Sequence, residues 1–299
     1  MNIKVLDINF FNPNVIECHL IETSEGPIII ETGPDSVFEN LEEQINECGY
    51  QLSDVKHVFV THIHLDHSGA AWHFAMHGAT IYVHERGAPH IINPEKLMKS
   101  AAMIYGEDMD RLWGNVENVP EELVHVIRDK DVIRIGNVSV KAIETPGHAS
   151  HHHAYQIGEV LFTGDVTGNR INKGPILPPT PPPDINVELW QESINKIREI
   201  KPSVIYPTHF GGTEGITEIE EHIDELQTTL MEWTEWIGER VKAGKTDEEI
   251  IPEFEKYCTN ILNSAGVSDD DFKSYELSDP FFMNVGGLTR YWRKFRLSQ

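Results

Sequence analysis

The sequence predicts two packed β-sheets with helices on their outer faces, followed by a tail built of helices alone. Three observations lead there. Residues 3–31 read as three short strands joined by tight turns. Helix and strand then alternate, and the pattern of antiparallel strands followed by that alternation occurs twice before residue 212. From Ile216 onward only helical periodicity remains, and no repeat of fixed period is present. A chain of 299 residues can bury a sizeable core, as one large domain or as one domain with an appended subdomain. The expected division is a sheet domain at 1–214 and a helical subdomain packed on it at 215–299.

The elements are justified in order. Ile3 to Phe10, Val15 to Ile21 and Pro27 to Glu31 carry β-branched, alternating residues between Asn/Pro and Ser/Gly turns, which favours antiparallel neighbours. After Thr32-Gly33-Pro34, Asp35 or Ser36 is placed to cap a helix that ends near Cys48-Gly49. His57-Val58-Phe59-Val60 is a short apolar strand, Gly69 to His77 a helix stopped by Gly78, and Thr80 to His84 another strand. Residues 85–113 mix helix and loop. A hairpin turns at Gly136-Asn137, and a second, of His153 to Ile157 with Glu159 to Thr163, turns at Gly158. Val187 to Ile200 is amphipathic, with Leu189, Trp190, Ile194 and Ile197 expected inside, and Val204 to Tyr206 is a strand.

In the tail, Ile219, Ile223, Leu226, Leu230, Trp233, Ile237 and Val241 form one apolar stripe. It could face the core or a second subunit, so a homodimer is compatible with it. A second helix is expected at 247–262, with Ile250, Phe254, Cys258 and Ile261 inward. A third is expected to open at Asp279-Pro280, with Asp279 as its cap and a stripe of Phe281, Val285, Leu288, Trp292 and Phe295. Arg290, Arg293, Lys294 and Arg296 lie near its C-terminus, where cations oppose the helix dipole.

Charge and cysteine usage exclude several function classes. Lys and Arg total 24 against 48 Asp and Glu, a net charge of −24. Such a surface repels phosphate backbones and anionic lipid, so neither nucleic acid nor membrane is an expected partner. Cys18, Cys48 and Cys258 are scattered and odd in number, which argues against a disulfide framework and for a reducing, cytoplasmic setting. No signal peptide and no membrane-spanning run is legible.

The chemistry concentrates in Thr61-His62-Ile63-His64-Leu65-Asp66-His67-Ser68-Gly69, directly after an apolar strand. A lone histidine is more often a surface or satisfied core residue than a ligand. Four imidazole or carboxylate side chains between positions 62 and 67 are hard to explain that way. In extended chain His62 and His64 face the same way, and a turn at Leu65 lets Asp66 and His67 address a neighbouring point. Such donors suit zinc, iron or manganese. Three further strand ends deliver His148, Asp165 and His209, each beside glycine or proline.

This pattern resembles the metallo-β-lactamase superfamily. The family's H-x-H-x-D-H stands here as His62-Ile63-His64-Leu65-Asp66-His67, followed by His148 in Thr-Pro-Gly-His, Asp165 in Phe-Thr-Gly-Asp and His209 in Pro-Thr-His-Phe-Gly. The resemblance covers about residues 5–212. It implies an α/β fold, a four-layer αββα sandwich of two mixed sheets, with the helical tail as an addition. It also implies a dinuclear site in which His62, His64 and His148 bind one metal, Asp66, His67 and His209 bind the second, and Asp165 bridges both. The family often has aspartate where this chain has Glu31, a side chain one methylene longer, so support around the cluster is expected to differ.

Two divalent cations, zinc first and iron or manganese next, would hold a bridging hydroxide able to attack a carbonyl or phosphoryl centre. Asp66 could orient it and later pass a proton to the leaving group. No G-x-S-x-G elbow and no phosphate loop offers another nucleophile. His151, His152 and His153 cannot all reach the metals, because alternate residues face opposite ways. The proline-rich stretch 168–183 could form a pocket wall, with Asn169 and Arg170 as polar contacts to a small-molecule substrate. The leading expectation is a hydrolase of a small ester, thioester or lactone. The alternatives are a mononuclear iron sulfur dioxygenase of the same fold and a non-catalytic metal-binding protein.

Overall fold

A computed structural model describes residues 2–297. Two sheets of six strands organise the chain. The first is ordered β1 (Ile3–Asp7), β2 (Glu17–Thr23), β3 (Gly26–Ile30), β4 (His57–Phe59), β5 (Thr80–His84) and β6 (Val124–Ile127). β1, β2 and β3 pair antiparallel, β2 to β3 through the tight turn at Ser24-Glu25 and β1 to β2 through the loop 8–16, while β3 to β6 pair parallel through helical crossovers. The register sets Ile30 opposite Phe59 and Phe59 opposite Tyr82, so neighbouring strands end together and hand their following loops to one edge.

The second sheet runs in the order β12 (Thr213–Glu214), β11 (Val204–Pro207), β10 (Val160–Gly164), β9 (His153–Ile157), β8 (Val138–Glu144) and β7 (Val132–Ile135). β10 and β11 are parallel, while β11 pairs antiparallel with β12, β7 with β8 and β8 with β9. The helices are α1 (Phe38–Glu47), α2 (Leu65–Ser68), α3 (Ala71–Met76), α4 (Ala88–Ile92), α5 (Glu95–Tyr105), α6 (Met109–Trp113), α7 (Val187–Ile200), α8 (Ile216–Lys242), α9 (Asp247–Ser264), α10 (Asp269–Ser278) and α11 (Phe281–Tyr291).

The chain divides into two compact units, Met1–Glu144 with His151–Gly158, and Thr145–Ser150 with Glu159–Gln299. The helices after 215 thus group with β10 to β12. In the first unit β4 meets β9 across the core: Phe59 packs edge-on against Tyr155 at 5.3 Å, and the Tyr155 hydroxyl donates to the Val60 carbonyl at 2.8 Å. In the second unit α8 buries every residue of the expected stripe, from Ile219 to Val241. Trp233 is wholly buried and meets Phe254 of α9 edge-on at 4.9 Å.

Several local expectations need correction. Asp35 and Ser36 cap no helix: α1 follows a 3-10 turn and starts at Phe38. Asp35 is instead taken by the Asn115 N–H at 2.7 Å and by His73 Nε2 at 2.7 Å. The helix expected at 69–77 is α3, which starts at Ala71, and a separate short helix, α2, precedes it at Leu65–Ser68. Leu189 is 39 % exposed, because the buried face of α7 follows Val187, Trp190, Ser193, Ile194 and Ile197. On α9, Leu262 is buried in place of Ile261, one turn on from Cys258. α11 begins after Pro280 with no side-chain cap from Asp279, and Phe295 is only half-buried. β6, β12 and α10 carry no expectation from sequence.

Two buried histidines give stability a pH dependence. Burial pushes His153 down to about 3, with the neighbouring His84 ring acting in the same direction, and burial pushes His222 down to about 4. Below the unfolded value near 6.5 the unfolded chain binds protons that the folded chain refuses. Each histidine therefore costs about 1.4 kcal/mol of stability per pH unit as pH falls from that value toward its folded pKa. The urea midpoint is expected to drop between pH 7 and pH 5, less steeply in His222→Gln, and an unchanged wild-type midpoint would contradict this.

Candidate metal centre

In the first unit the site is built at the end of β4. The carbonyl of Thr61 accepts the His153 N–H at 2.8 Å, which ties this strand end to the start of β9. The chain bends at Thr61 and His62, and His64 has extended dihedrals (φ −62°, ψ 151°); its carbonyl accepts the N–H groups of His67 and Ser68 at 3.0 Å as α2 begins. The bend followed by a helical turn puts His62 Nε2 and His64 Nδ1 2.9 Å apart, and Asp66 Oδ2 3.4 Å from His67 Nε2. His62 and His67 are buried, while His64 and Asp66 are partly exposed.

Glu31 organises this cluster. It follows the apolar β3, is 1 % exposed, and has a left-handed backbone (φ 66°) that few non-glycine residues adopt. Its carboxylate accepts the Thr61 N–H at 3.3 Å, the Thr61 hydroxyl, and His67 Nδ1–H at 3.2 Å. With its proton committed to Glu31, the Thr61 hydroxyl accepts His62 Nδ1–H at 3.0 Å. Both imidazoles therefore carry their proton on Nδ1 and present the Nε2 lone pair, the form a metal ligand needs. The longer Glu31 side chain, seen from sequence only as a departure from the family, thus supports two histidines from one carboxylate.

In the second unit β10 ends at Gly164 and a 3-10 turn starts with Asp165. Asp165 Oδ2 lies 3.3 Å from His148 Nε2, and Oδ1 lies 3.7 Å from His209 Nε2. All three are nearly fully buried. His148 Nδ1–H donates to the Pro179 carbonyl at 2.8 Å, which can only accept, so Nε2 is again the lone-pair atom. Gly147 (φ 137°) precedes it, and a Cβ there would overlap the Trp190 backbone. The indole of Trp190 donates to the Val166 carbonyl at 2.8 Å. A carboxylate facing imidazole lone pairs is repulsive unless positive charge lies among them, and these donors fit a divalent cation. Pair by pair, the ligand atoms of His62 and His64, of Asp66 and His67, and of His148 and Asp165 lie within 4.8 Å of each other.

The other expected residues fall as follows. Asn169 is buried, bridges Leu177 through its backbone, and has no hydrogen-bond partner for its side-chain amide among the described residues. The half-buried Arg170 donates its N–H to the His209 carbonyl at 2.6 Å. The rings of His151 and His152 lie 6.1 and 5.0 Å from that of His62, while His153 faces His84 at 4.7 Å. Thr61 and Pro179 escaped sequence reasoning, because a hydroxyl and a backbone carbonyl carry no motif.

Comparison with known proteins shows the family. The family model described as Metallo-beta-lactamase superfamily matches residues 12–209, and the chain belongs to that superfamily. It is 29 % identical over 180 residues to a metallo-beta-lactamase fold-containing protein of Sulfurisphaera tokodaii, a match covering 58 % of this chain and 67 % of that one. It is 25 % identical over 221 residues to an N-acyl homoserine lactonase of Bacillus thuringiensis, covering 63 % of this chain and 79 % of the lactonase. A metallo-beta-lactamase family protein of Thermus thermophilus shares the fold with a TM-score of 0.69 at 18 % identity, over 98 % of this chain and 93 % of its own. Both sheets and the helical region after them thus follow the superfamily's α/β architecture. Among the described residues no helix is long and apolar enough to cross a membrane.

Proposed function

We propose that this chain is a metal-dependent hydrolase of a small ester, thioester or lactone. In this reading two divalent cations are held by His62, His64 and His148 and by Asp66, His67 and His209, with Asp165 shared. The observation that carries it is the tautomer pattern: His62, His67 and His148 each commit Nδ1–H to an acceptor within their own unit, leaving Nε2 as the donor atom. Zinc is the first choice for such nitrogen and oxygen donors, and iron and manganese also accept them.

The bound cations would supply Lewis acidity and lower the pKa of a water molecule toward neutrality. The chain's own residues do the rest. Glu31 and Thr61 hold His62 and His67 in orientation. Asp66, 19 % exposed at its side chain, aligns the attacking water and then carries a proton to the leaving group. Arg170 and the buried amide of Asn169 are proposed as polar contacts to the substrate. Water is the nucleophile because no serine elbow competes for that role. The net charge of −24 supports a small-molecule substrate over nucleic acid or an anionic membrane, and the unpaired cysteines support a reducing cytoplasm.

The similarity to a lactonase makes lactones the first class to assay. The test is turnover of a panel of acyl lactones, thioesters and aryl esters before and after chelation, with zinc, manganese or iron added back. Hydrolysis of at least one class that disappears on chelation and returns with metal is expected. Turnover indifferent to chelation would overturn the proposal.

A further inference from the structure

The helices after residue 215 lie outside the segment that the family model matches, 12–209. Yet α11 grips the stretch beside His148 at three points. Asn284 Oδ1 accepts from the Thr180 N–H at 2.6 Å and from its hydroxyl at 2.7 Å. Arg290 Nε donates to the Pro183 carbonyl at 3.1 Å, and the Tyr291 hydroxyl donates to Glu188 Oε1 at 2.7 Å. Gly287 lets the helix lie directly on this stretch, since a Cβ there would overlap the Thr180 carbonyl oxygen.

The first of these grips differs from the other two. The Pro179 carbonyl and the Thr180 N–H belong to one planar trans peptide and point in opposite directions. Asn284 holds that peptide by its N–H, and His148 Nδ1–H holds it by its carbonyl. Asn284 and Thr180 are wholly buried and His148 is 1 % exposed, so water does not compete at either end. Hydrogen bonds in series through one peptide unit also polarise each other.

We propose that Asn284 is a positioning residue for His148. By fixing the plane of the 179–180 peptide it aims the Pro179 carbonyl at Nδ1 and keeps the proton there. Nε2 is thereby held as the lone-pair atom facing Asp165. Removing the amide lets the peptide plane turn, and the imidazole then samples both tautomers. The helical addition thus acts on the reaction through one backbone peptide. The consequence for metal binding rests on His148 being a ligand, as proposed above; the consequence for the tautomer does not.

The test uses the full chain with 15N-labelled histidine, freed of metal by chelation, at a pH where imidazoles are neutral; in this arm every protein carries Asp165→Ala, so that no carboxylate draws the His148 proton to Nε2. Long-range 1H–15N correlation reads the His148 tautomer, assigned by its loss in His148→Gln. With Asn284 in place, the Asp165→Ala protein is expected to show Nδ1–H alone. Asn284→Ala is expected to show averaged shifts, and Asn284→Asp, which keeps the acceptor, to restore that pattern. Arg290→Ala, which loosens the same helix from Pro183, is expected to leave the tautomer unchanged. If Asn284→Ala does not fold, Asn284→Gln takes its place, moving the acceptor by one methylene. In competition with a chromophoric chelator, zinc affinity should fall by about 10- to 100-fold in Asn284→Ala. A single Nδ1–H tautomer in folded Asn284→Ala, or an equal change in Arg290→Ala, overturns the inference. A changed tautomer with unchanged zinc affinity supports Asn284's role and counts against His148 as a ligand.

Discussion

Asp165→Ala is expected to lower kcat/KM by about a thousandfold or more, the equivalent of ~4 kcal/mol of transition-state stabilisation. The carboxylate is 3 % exposed and faces His148 on one oxygen and His209 on the other. Without it, the second unit keeps two imidazoles and loses the negative charge that faces both. Both cations of the proposed centre then lose a ligand at once. Asp165→Asn separates charge from shape. An amide fits the same space, and its N–H can donate to the lone pair of His148 or His209. The metal-free Asp165→Asn protein should therefore melt no lower than the metal-free parent, while its activity falls with that of Asp165→Ala. Activity within tenfold of wild type in either variant would remove Asp165 from the site.

The second large effect is on folding. Trp190→Ala is expected to cost about 4 kcal/mol, the usual range for deleting a fully buried tryptophan. Trp190 has no exposed surface, its indole N–H donates to the Val166 carbonyl at 2.8 Å, and its ring meets that of His148 edge-on at 5.7 Å. The substitution leaves a cavity and a buried carbonyl without its donor. Val166 follows Asp165, and Gly147, which abuts Trp190, precedes His148, so Trp190 braces the segments that carry two proposed ligands. Leu189→Ala on the same helix should stay within about 0.5 kcal/mol, because that side chain is 39 % exposed. Urea denaturation of both variants checks this, and a Trp190→Ala cost under about 1 kcal/mol would show that the 145–150 loop is not braced there.

Much of this was legible in the chain because the proposed ligands sit where patterns change. His62, His148, Asp165 and His209 each come just after an apolar strand, at a turn marked by glycine or proline or by a dense polar run. Both halves of that signal are local. The stripe from Ile219 to Val241 was legible for the same reason, since a long helix repeats its inward face many times. Short elements gave less. α10 buries Ser274, Tyr275 and Ser278 under a run of three aspartates, which offers almost no apolar period to read. Leu189 and Ile261 are apolar residues one step off the buried face of their helices, an error that periodicity alone permits when several neighbours are apolar. The cap expected of Asp35 failed because distant partners, His73 and Asn115, hold its carboxylate.

What sequence could not show is the support of the site. Glu31 and His67 are 36 residues apart, His148 and Pro179 are 31 apart, and Thr180 and Asn284 are 104 apart. Hydrogen bonds over such separations are decided by how elements pack. Two of the groups involved, the Pro179 carbonyl and the Thr180 N–H, are backbone and carry no residue-type signal at all.

The central claim is that seven side chains hold two divalent cations, and metal counting addresses it most directly. The protein is stripped by chelation, titrated with zinc and dialysed, and bound metal is determined per chain by plasma mass spectrometry beside Asp165→Ala. Two equivalents in wild type and none or one in the variant are predicted. Retention of a single iron from expression, with no second equivalent of any divalent cation taken up, would contradict the account and favour a mononuclear oxygenase.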